Sequence, residues 1–275
     1  MTNWDFACSD PIDISVDSWG AGSIVVSGEP TDSIIVQIVP SRRSAGAEEL
    51  LDQIQVAFED GQLLISGPRV STFRRKQSLD LTIKAPAGSS CAAKTVSADL
   101  SCVGEVSAVS LQTASGDLTA ASVEDVEVRS ASGDVLLDLA TGTISVHTAS
   151  GDVQAAQVDG DVRVNTASGD VSIGFCAGPV SVHTASGDVK LTAVGGAQVV
   201  LASASGDLEV GVMPGRGVYL DLASNSGDIR SELDASDGNE AEDESAAMQI
   251  SCHTMSGDIK ITKARGVATE PAMQP

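Results

Sequence analysis

The chain has 275 residues, of which 42% are hydrophobic and only 3% aromatic, and its formal net charge is −22. This apolar content excludes a disordered chain, and the scarcity of aromatic residues requires a core of small aliphatic and β-branched side chains. The negative charge repels phosphate groups, so nucleic acids and anionic membranes are not expected partners, whereas a basic protein surface is.

The beginning of the chain has neither the basic nor the apolar stretch of a signal peptide, and no segment has the roughly 18 apolar residues of a membrane-spanning helix. The cysteines are odd in number, widely spaced and without a Cys-x-x-Cys pair; they are Cys8, Cys91, Cys102, Cys176 and Cys252. Buried free thiols are therefore expected rather than disulfides or a zinc site. We expect a cytoplasmic protein without direct membrane insertion.

Residues 1–88 alternate between apolar and polar positions between turns rich in Gly, Pro and Asp. This pattern predicts β-strands at residues 12–16, 23–26, 34–39, 54–58, 63–66 and 79–84. Residues 44–53 favour a short helix because most of them tolerate helical geometry. We predict that this β-rich region caps one end of the repeats that follow, since an uncapped sheet would expose strand edges.

One hexapeptide recurs from residue 113 to residue 259, usually at intervals of 18 residues. Its copies are TASGDL at 113–118, SASGDV at 130–135, TASGDV at 148–153, 166–171 and 184–189, SASGDL at 203–208, SNSGDI at 224–229 and TMSGDI at 254–259. TVSADL at 95–100 is a degenerate ninth copy. Such a period identifies a repeat architecture.

Apolar and polar residues alternate on both sides of each repeated turn, as in Val162, Val164 and Thr166 before Asp170 and Val171 and Ile173 after it. A period of 18 is too short for a βαβ unit and lacks helical spacing. We predict an all-β, single-stranded β-solenoid, similar to a parallel β-helix, of about nine coils that stack in chain order. Each Gly is expected to have a positive φ, and each Asp to accept hydrogen bonds within its own turn.

The predicted organisation has three parts. Residues 1–88 form the β-rich cap, residues 89–262 the solenoid, and residues 263–275 a flexible tail. Residues 232–246 carry seven acidic and no basic side chains, which indicates a solvated loop inserted into one coil.

The segment LDLTIKAPAGSS at 79–90, followed by the Ser-Gly-Asp repeats, resembles the bacterial putative-adhesin family, a domain family of unknown function. The resemblance covers residues 10–262. It implies a β-solenoid without established catalytic residues and a link to cell-envelope stress responses. Some members of that family are attached to membranes or exposed at the cell surface.

Three columns of side chains are candidates for binding. The turn aspartates would form a carboxylate ladder that invites a cation; they are Asp117, Asp134, Asp152, Asp170, Asp188, Asp207, Asp228 and Asp258. His147, His183 and His253 share the position five residues before the aspartate, but His147 and His183 are two coils apart, too far for one zinc ion. The position three residues before the aspartate holds mostly alanine and defines a flat face: Ala114, Ala131, Ala149, Ala167, Ala185 and Ala204.

No catalytic, cofactor-binding or metal-binding constellation is recognisable, so turn aspartates and surface histidines remain the simplest interpretations. We predict a non-enzymatic binding or scaffold protein whose partner is another protein, bound at the flat face or the acidic edge. Two alternatives remain open: a structural protein that assembles end to end into filaments, and a β-helix enzyme acting on polysaccharides.

Overall fold

The computed structural model describes residues 2–41, 50–68, 78–215, 217–233 and 247–264. These residues confirm an all-β fold. Its strands in chain order are β1 (Thr2–Ala7), β2 (Asp13–Glu29), β3 (Ser33–Pro40), β4 (Gln55–Glu59), β5 (Gln62–Ser66), β6 (Leu79–Pro86), β7 (Ser89–Gln112), β8 (Leu118–Arg129), β9 (Val135–Ala140), β10 (Ile144–Thr148), β11 (Val153–Val158), β12 (Val162–Thr166), β13 (Val171–Cys176), β14 (Val180–Ser186), β15 (Val189–Val194), β16 (Gln198–Ser205), β17 (Leu208–Val212), β18 (Val218–Ser224), β19 (Ile229–Ser231), β20 (Met248–Ser256) and β21 (Ile259–Lys263).

Each coil consists of two strands, one before and one after its Ser-Gly-Asp turn. The strands before the turns pair in parallel, as β10, β12 and β14 do, and we call this the first sheet. The strands after the turns, such as β11, β13 and β15, form the second sheet. The register advances by one repeat per coil, so that His147 faces Asn165 and Asn165 faces His183. The predicted solenoid is therefore confirmed.

The core lies between the two sheets. Val162 and Val164 of β12 and Val171 and Ile173 of β13 are all at most 1% exposed, as the alternation predicted. Small and β-branched residues fill this interior because successive turns hold the two sheets close together. The long strands β2, β7 and β8 run through both sheets and join them into one surface.

The last two coils stack in reverse order. In the first sheet β16 pairs with β20, and β20 pairs with β18. In the second sheet β17 pairs with β21, and β21 with β19. After β17 the chain first forms the outermost coil with β18 and β19. It then returns, and β20 and β21 form the coil that lies between β16/β17 and β18/β19. Stacking in chain order, which the repeat predicted, is wrong here because the 30-residue interval before Asp258 is long enough to allow the return.

The same exchange occurs at the other end. β2 pairs in parallel with β7 on one side and with β5 and β6 on the other, so the first long strand lies between later ones. All six segments predicted as strands in residues 1–88 lie in strands, but those at 12–16 and 23–26 are parts of the single strand β2, and β1 is an additional strand. This region therefore extends the parallel stack as well as closing it.

Antiparallel strands close this end of the core. β1 and β4 form the edges, pairing with β3 and β5 respectively. Phe6 of β1 and Phe58 of β4 approach with ring centroids 5.5 Å apart. Trp19 of β2 is 1% exposed and donates its indole N–H to the carbonyl oxygen of Leu79 at 3.2 Å. Several of the chain's few aromatic residues are thus concentrated where the solenoid ends.

Three predicted segments fall largely outside the described residues. Of the predicted helix at 44–53, only the last four residues are described, and Leu50 and Leu51 are helical. Only the first two residues of the acidic insertion at 232–246 are described. The same is true of the tail at 263–275, of which only residues 263 and 264 are described. No helix within the described ranges has the length and apolar character needed to cross a bilayer.

All five cysteines are free, and four of them are buried in the core. Burial raises the pKa of Cys102 and of Cys252 to about 12, and it also raises the pKa of Cys91 and Cys176. Cys8, which is only partly buried, donates its S–H to the carbonyl oxygen of Asp10.

We expect a thiol reagent at pH 8 to modify one cysteine per native chain, Cys8, and all five after denaturation, because the thiolate is the reactive species. Mass spectrometry of the labelled peptides measures this directly. Since the buried thiols have raised pKa values, their contribution to stability is complete below pH 9 and is lost as the pH rises toward 12. Rapid labelling of Cys102 in the native protein would contradict this prediction.

Candidate functional site

The Ser-Gly-Asp turns form one edge of the solenoid, and their glycines are required by packing between coils. Of the eight Ser-Gly-Asp glycines, only Gly257 has a positive φ, of 159°, so the predicted positive φ is wrong for the other seven. A Cβ atom added to Gly169 would lie well within 3.0 Å of the carbonyl oxygen of Gly151, and the same holds from coil to coil along the column. Each turn glycine therefore allows a neighbouring backbone to approach closely.

The turn aspartates connect neighbouring coils instead of capping their own turns. Oδ1 of Asp152 accepts the backbone N–H of Asp170 at 2.9 Å, and Oδ1 of Asp170 accepts that of Asp188 at 2.9 Å. The series continues from Asp207 to Asp258 and then to Asp228, following the exchanged order of the last coils. The prediction of bonds within each turn is therefore wrong, because the N–H group of each turn aspartate points toward the carboxylate of the preceding coil.

We expect Asp170→Asn to change the free energy of unfolding by less than about 0.5 kcal/mol, because the amide oxygen still accepts the N–H of Asp188. Asp170→Ala should cost about 1–2 kcal/mol, because it removes a charge-assisted hydrogen bond at an exposed position. Urea unfolding of both variants measures the difference. Equal stabilities for the two would show that the hydrogen bond contributes nothing.

A second glycine column lies at the opposite turns, where Gly142, Gly160, Gly178 and Gly196 stack. An added Cβ on each of the last three would approach the carbonyl oxygen of the glycine before it. These glycines also recur every 18 residues in the sequence, but no fixed tripeptide surrounds them, so they were not identified from the sequence alone. Asp80 was also missed: its Oδ1 accepts the N–H of Ser23 at 3.2 Å and extends the ladder toward the N-terminal end.

The candidate metal ligands remain dispersed. Within the described parts of the chain, no three side chains of His, Cys, Asp or Glu come together in a group able to hold a metal ion. His147 and His183 are separated by Asn165, and His253 is separated from His183 by Ala202. His253 instead contacts Oδ2 of Asp221 at 3.2 Å. The histidine column is therefore a polar stripe on the outside of the first sheet.

Two predicted columns meet in a shallow depression of about 590 Å³ on the first sheet. We call it the alanine groove. The exposed side chains of His147, Asn165 and His183 form one side, and Ala149, Ala167 and Ala185 form its floor toward the turns. The depression exists because methyl groups lie between larger side chains and the turn edge, and this arrangement repeats in three neighbouring coils.

Charges around the alanine groove are largely compensated. Arg163 forms an ion pair with Asp161 at 2.9 Å, and Arg129 forms one with Glu127 at 2.9 Å. Both pairs are exposed and contribute little stability. The turn edge beside the groove, in contrast, carries the aspartate ladder. A ligand in the groove would therefore meet an uncharged floor bordered on one side by carboxylates.

The second sheet carries a different cluster near the C-terminal end. Glu209 contacts Nζ of Lys190 at 3.2 Å and Nζ of Lys260 at 3.1 Å. Burial alone would raise the pKa of this carboxyl, but the hydrogen bonds from the two lysines outweigh it and the pKa is lowered. The cluster ties three neighbouring coils together across their exposed faces.

Parallel coils, stacked glycines and a carboxylate ladder define a β-solenoid repeat protein. The sequence profile of the Toastrack DUF4097 family matches residues 12–262, and the chain belongs to that family. No curated protein matches the sequence.

Several solved structures resemble the fold at low sequence identity. A putative adhesin from Bacteroides fragilis has a TM-score of 0.47 and 14% identity, covering 94% of this chain and 96% of that one. A putative adhesin from Parabacteroides merdae has a TM-score of 0.46 and 11% identity, covering 95% and 96% of the two chains. A putative lipid binding protein from Parabacteroides distasonis has a TM-score of 0.40 and 13% identity, covering 95% and 96%.

Proposed function

We propose that the protein is a non-enzymatic binding or scaffold module that binds another protein through the alanine groove. The observation that carries this proposal is the repetition of one surface in three neighbouring coils, with His147, Asn165 and His183 in register beside Ala149, Ala167 and Ala185. A rigid array of this kind presents backbone and small side chains to a partner at regular intervals of about 4.8 Å.

Charge defines the class of partner. The chain carries a net charge of −22, and the aspartate ladder borders the groove. A partner segment with Lys or Arg beside small apolar residues would satisfy both features, whereas a phosphate-rich partner would be repelled. We place the protein in the cytoplasm, where free thiols such as the five of this chain remain reduced. A role in cell-envelope stress or assembly is part of the same proposal.

The test replaces the floor of the groove with charge. The triple variant Ala149→Arg/Ala167→Arg/Ala185→Arg fills the depression without touching the core, since all three side chains are exposed. The control, Leu136→Arg/Gln154→Arg/Ser172→Arg, places the same charge on three neighbouring coils of the second sheet. Proteins captured from native lysate are identified by mass spectrometry. The captured protein with the most intense signal is then purified and titrated with the wild type and each variant.

We expect the groove variant to lose a partner that the wild type and the control retain. An unchanged set of partners for the groove variant would overturn the proposal. The polysaccharide-enzyme alternative predicts product formation from acidic or neutral glycans, which chromatography of the incubated glycans would detect.

A further inference from the structure

The two ends of the solenoid differ in how they are closed. At the N-terminal end, β1, β3 and β4 run antiparallel across the stack and bring Phe6 against Phe58. At the C-terminal end, the outermost coil is formed by β18 and β19. Over the described residues, these two strands pair only with β20 and β21.

The interior of this outermost coil is incompletely covered. Val218, Leu220 and Leu222 are only half-buried, although the residues that face them in β20, Met248, Ile250 and Cys252, are at most 1% exposed. Ile229, whose partner Ile259 in β21 is fully buried, is 44% exposed. The apolar positions that continue the core of every inner coil thus reach solvent at this end.

The aspartate ladder and the glycine column, which join the inner coils, also end at this coil. Asp228 donates its backbone N–H to Oδ1 of Asp258 at 2.8 Å, and its own Oδ2 accepts from Arg230 at 2.8 Å. Among the described residues, no N–H occupies Oδ1 of Asp228, the atom that accepts the next coil's N–H elsewhere in the ladder. Gly227 lies against the carbonyl oxygen of Gly257, and no glycine in the described ranges stacks on the carbonyl oxygen of Gly227 itself.

We propose that the outermost coil binds a strand-turn-strand segment of another polypeptide, with glycine at the turn, as one more coil. Such a segment would pair with the edges of β18 and β19, cover Leu220 and Leu222, and donate an N–H to Oδ1 of Asp228. Glycine is required at its turn because a Cβ atom there would collide with the carbonyl oxygen of Gly227, as an added Cβ on Gly151 or Gly169 would collide with the glycine carbonyl before it.

Charge disfavours a second copy of this chain as the occupant. Among the described residues, the rim of the outermost coil carries Asp221, Asp228 and Glu232 and one basic side chain, Arg230, and each chain has a net charge of −22. Two such rims placed together would repel each other. The bound segment is therefore expected to carry Lys or Arg on its outer face, opposite Asp221.

The probe is a synthetic peptide with the sequence of residues 179–194, PVSVHTASGDVKLTAV, which spans both strands and the Ser-Gly-Asp turn of one coil. Calorimetric titration of the full chain should show saturable binding at one site. In the peptide, Gly187→Val should abolish binding, because the branched side chain meets the carbonyl oxygen of Gly227. Ser181→Lys should tighten binding about two- to fivefold at low salt, because position 181 matches Asp221 in the repeat.

Variants of the protein locate the site. Asp228→Ala should weaken binding about tenfold by removing the last acceptor of the ladder. Asp138→Ala, an exposed carboxylate on the second sheet, makes the same change in charge and should leave binding unchanged. The triple arginine variant of the alanine groove should also bind the peptide normally, which separates this test from that of the proposed function.

Absence of binding to the folded full chain at millimolar peptide would overturn the proposal. Equal binding of the Gly187→Val peptide would do so as well, since the stacked turn would then play no part. Light scattering that gives twice the chain mass of 27.9 kDa, reverting to one chain in Asp228→Ala, would replace the segment with a second copy.

Discussion

Replacing Gly169 with alanine is expected to lower the free energy of unfolding by about 3 kcal/mol, at the upper end of the cost of overpacking a rigid interior. The added methyl group would lie well within 3.0 Å of the carbonyl oxygen of Gly151. That oxygen belongs to a backbone fixed by parallel pairing on both sides of the turn, so it cannot move without separating two coils. Equilibrium unfolding in urea, followed by far-ultraviolet circular dichroism, measures the loss.

A matched substitution separates packing from backbone strain. Gly61 has a φ of +78°, and no atom lies within 4 Å of an added Cβ. Gly61→Ala should therefore cost only about 1 kcal/mol, the price of a left-handed conformation for a residue with a side chain. A Gly169→Ala variant no less stable than Gly61→Ala would show that the coils separate easily and that the glycine column is not a packing requirement.

Replacing Trp19 with alanine should cost about 4 kcal/mol, the typical loss for a fully buried aromatic side chain. Trp19 is 1% exposed, pairs with Thr95 of β7, and donates its indole N–H to the carbonyl oxygen of Leu79. Removal leaves a cavity and an unpaired carbonyl oxygen in a chain with few aromatic residues to fill the space. Thermal and urea unfolding provide the measurement.

Trp4 of β1 provides the comparison for this substitution. It lies in an edge strand and is only partly buried, so Trp4→Ala should cost about 1–2 kcal/mol, in proportion to the smaller area that it buries. If both substitutions cost the same, the end of the stack would depend on its aromatic content as a whole and not on the buried position of Trp19.

The repeat was sufficient to predict the fold because each coil repeats the same local pattern. The alternation of Val162, Val164, Val171 and Ile173 identified the buried positions, and the register followed from the period of 18. The structural roles of the repeated Gly and Asp could not be predicted from the repeat. Both residues are common in isolated turns for local reasons, whereas here Gly169 and Asp170 act on the neighbouring coils, and only the stacked arrangement shows those contacts.

The stacking order at the two ends was also beyond the reach of the sequence. A parallel ladder between β16 and β20 has the same side-chain pattern as one between β16 and β18, since Ile250 and Leu220 are both apolar. The choice depends on the length of the connecting segments and on which coil covers the core better. Of the candidate site, the histidine and alanine columns were predicted, but the depression that they form together required the spacing of the two sheets and turns.

The exchanged order of the last two coils has a mechanical consequence. In a solenoid wound in simple order, pulling on the C-terminus removes the outermost rung first, and the rest can follow one rung at a time. Here the strands nearest the described C-terminus, β20 and β21, lie between two other rungs, so force applied there must break two ladders at once. The fold therefore resists unzipping when force is applied at this end.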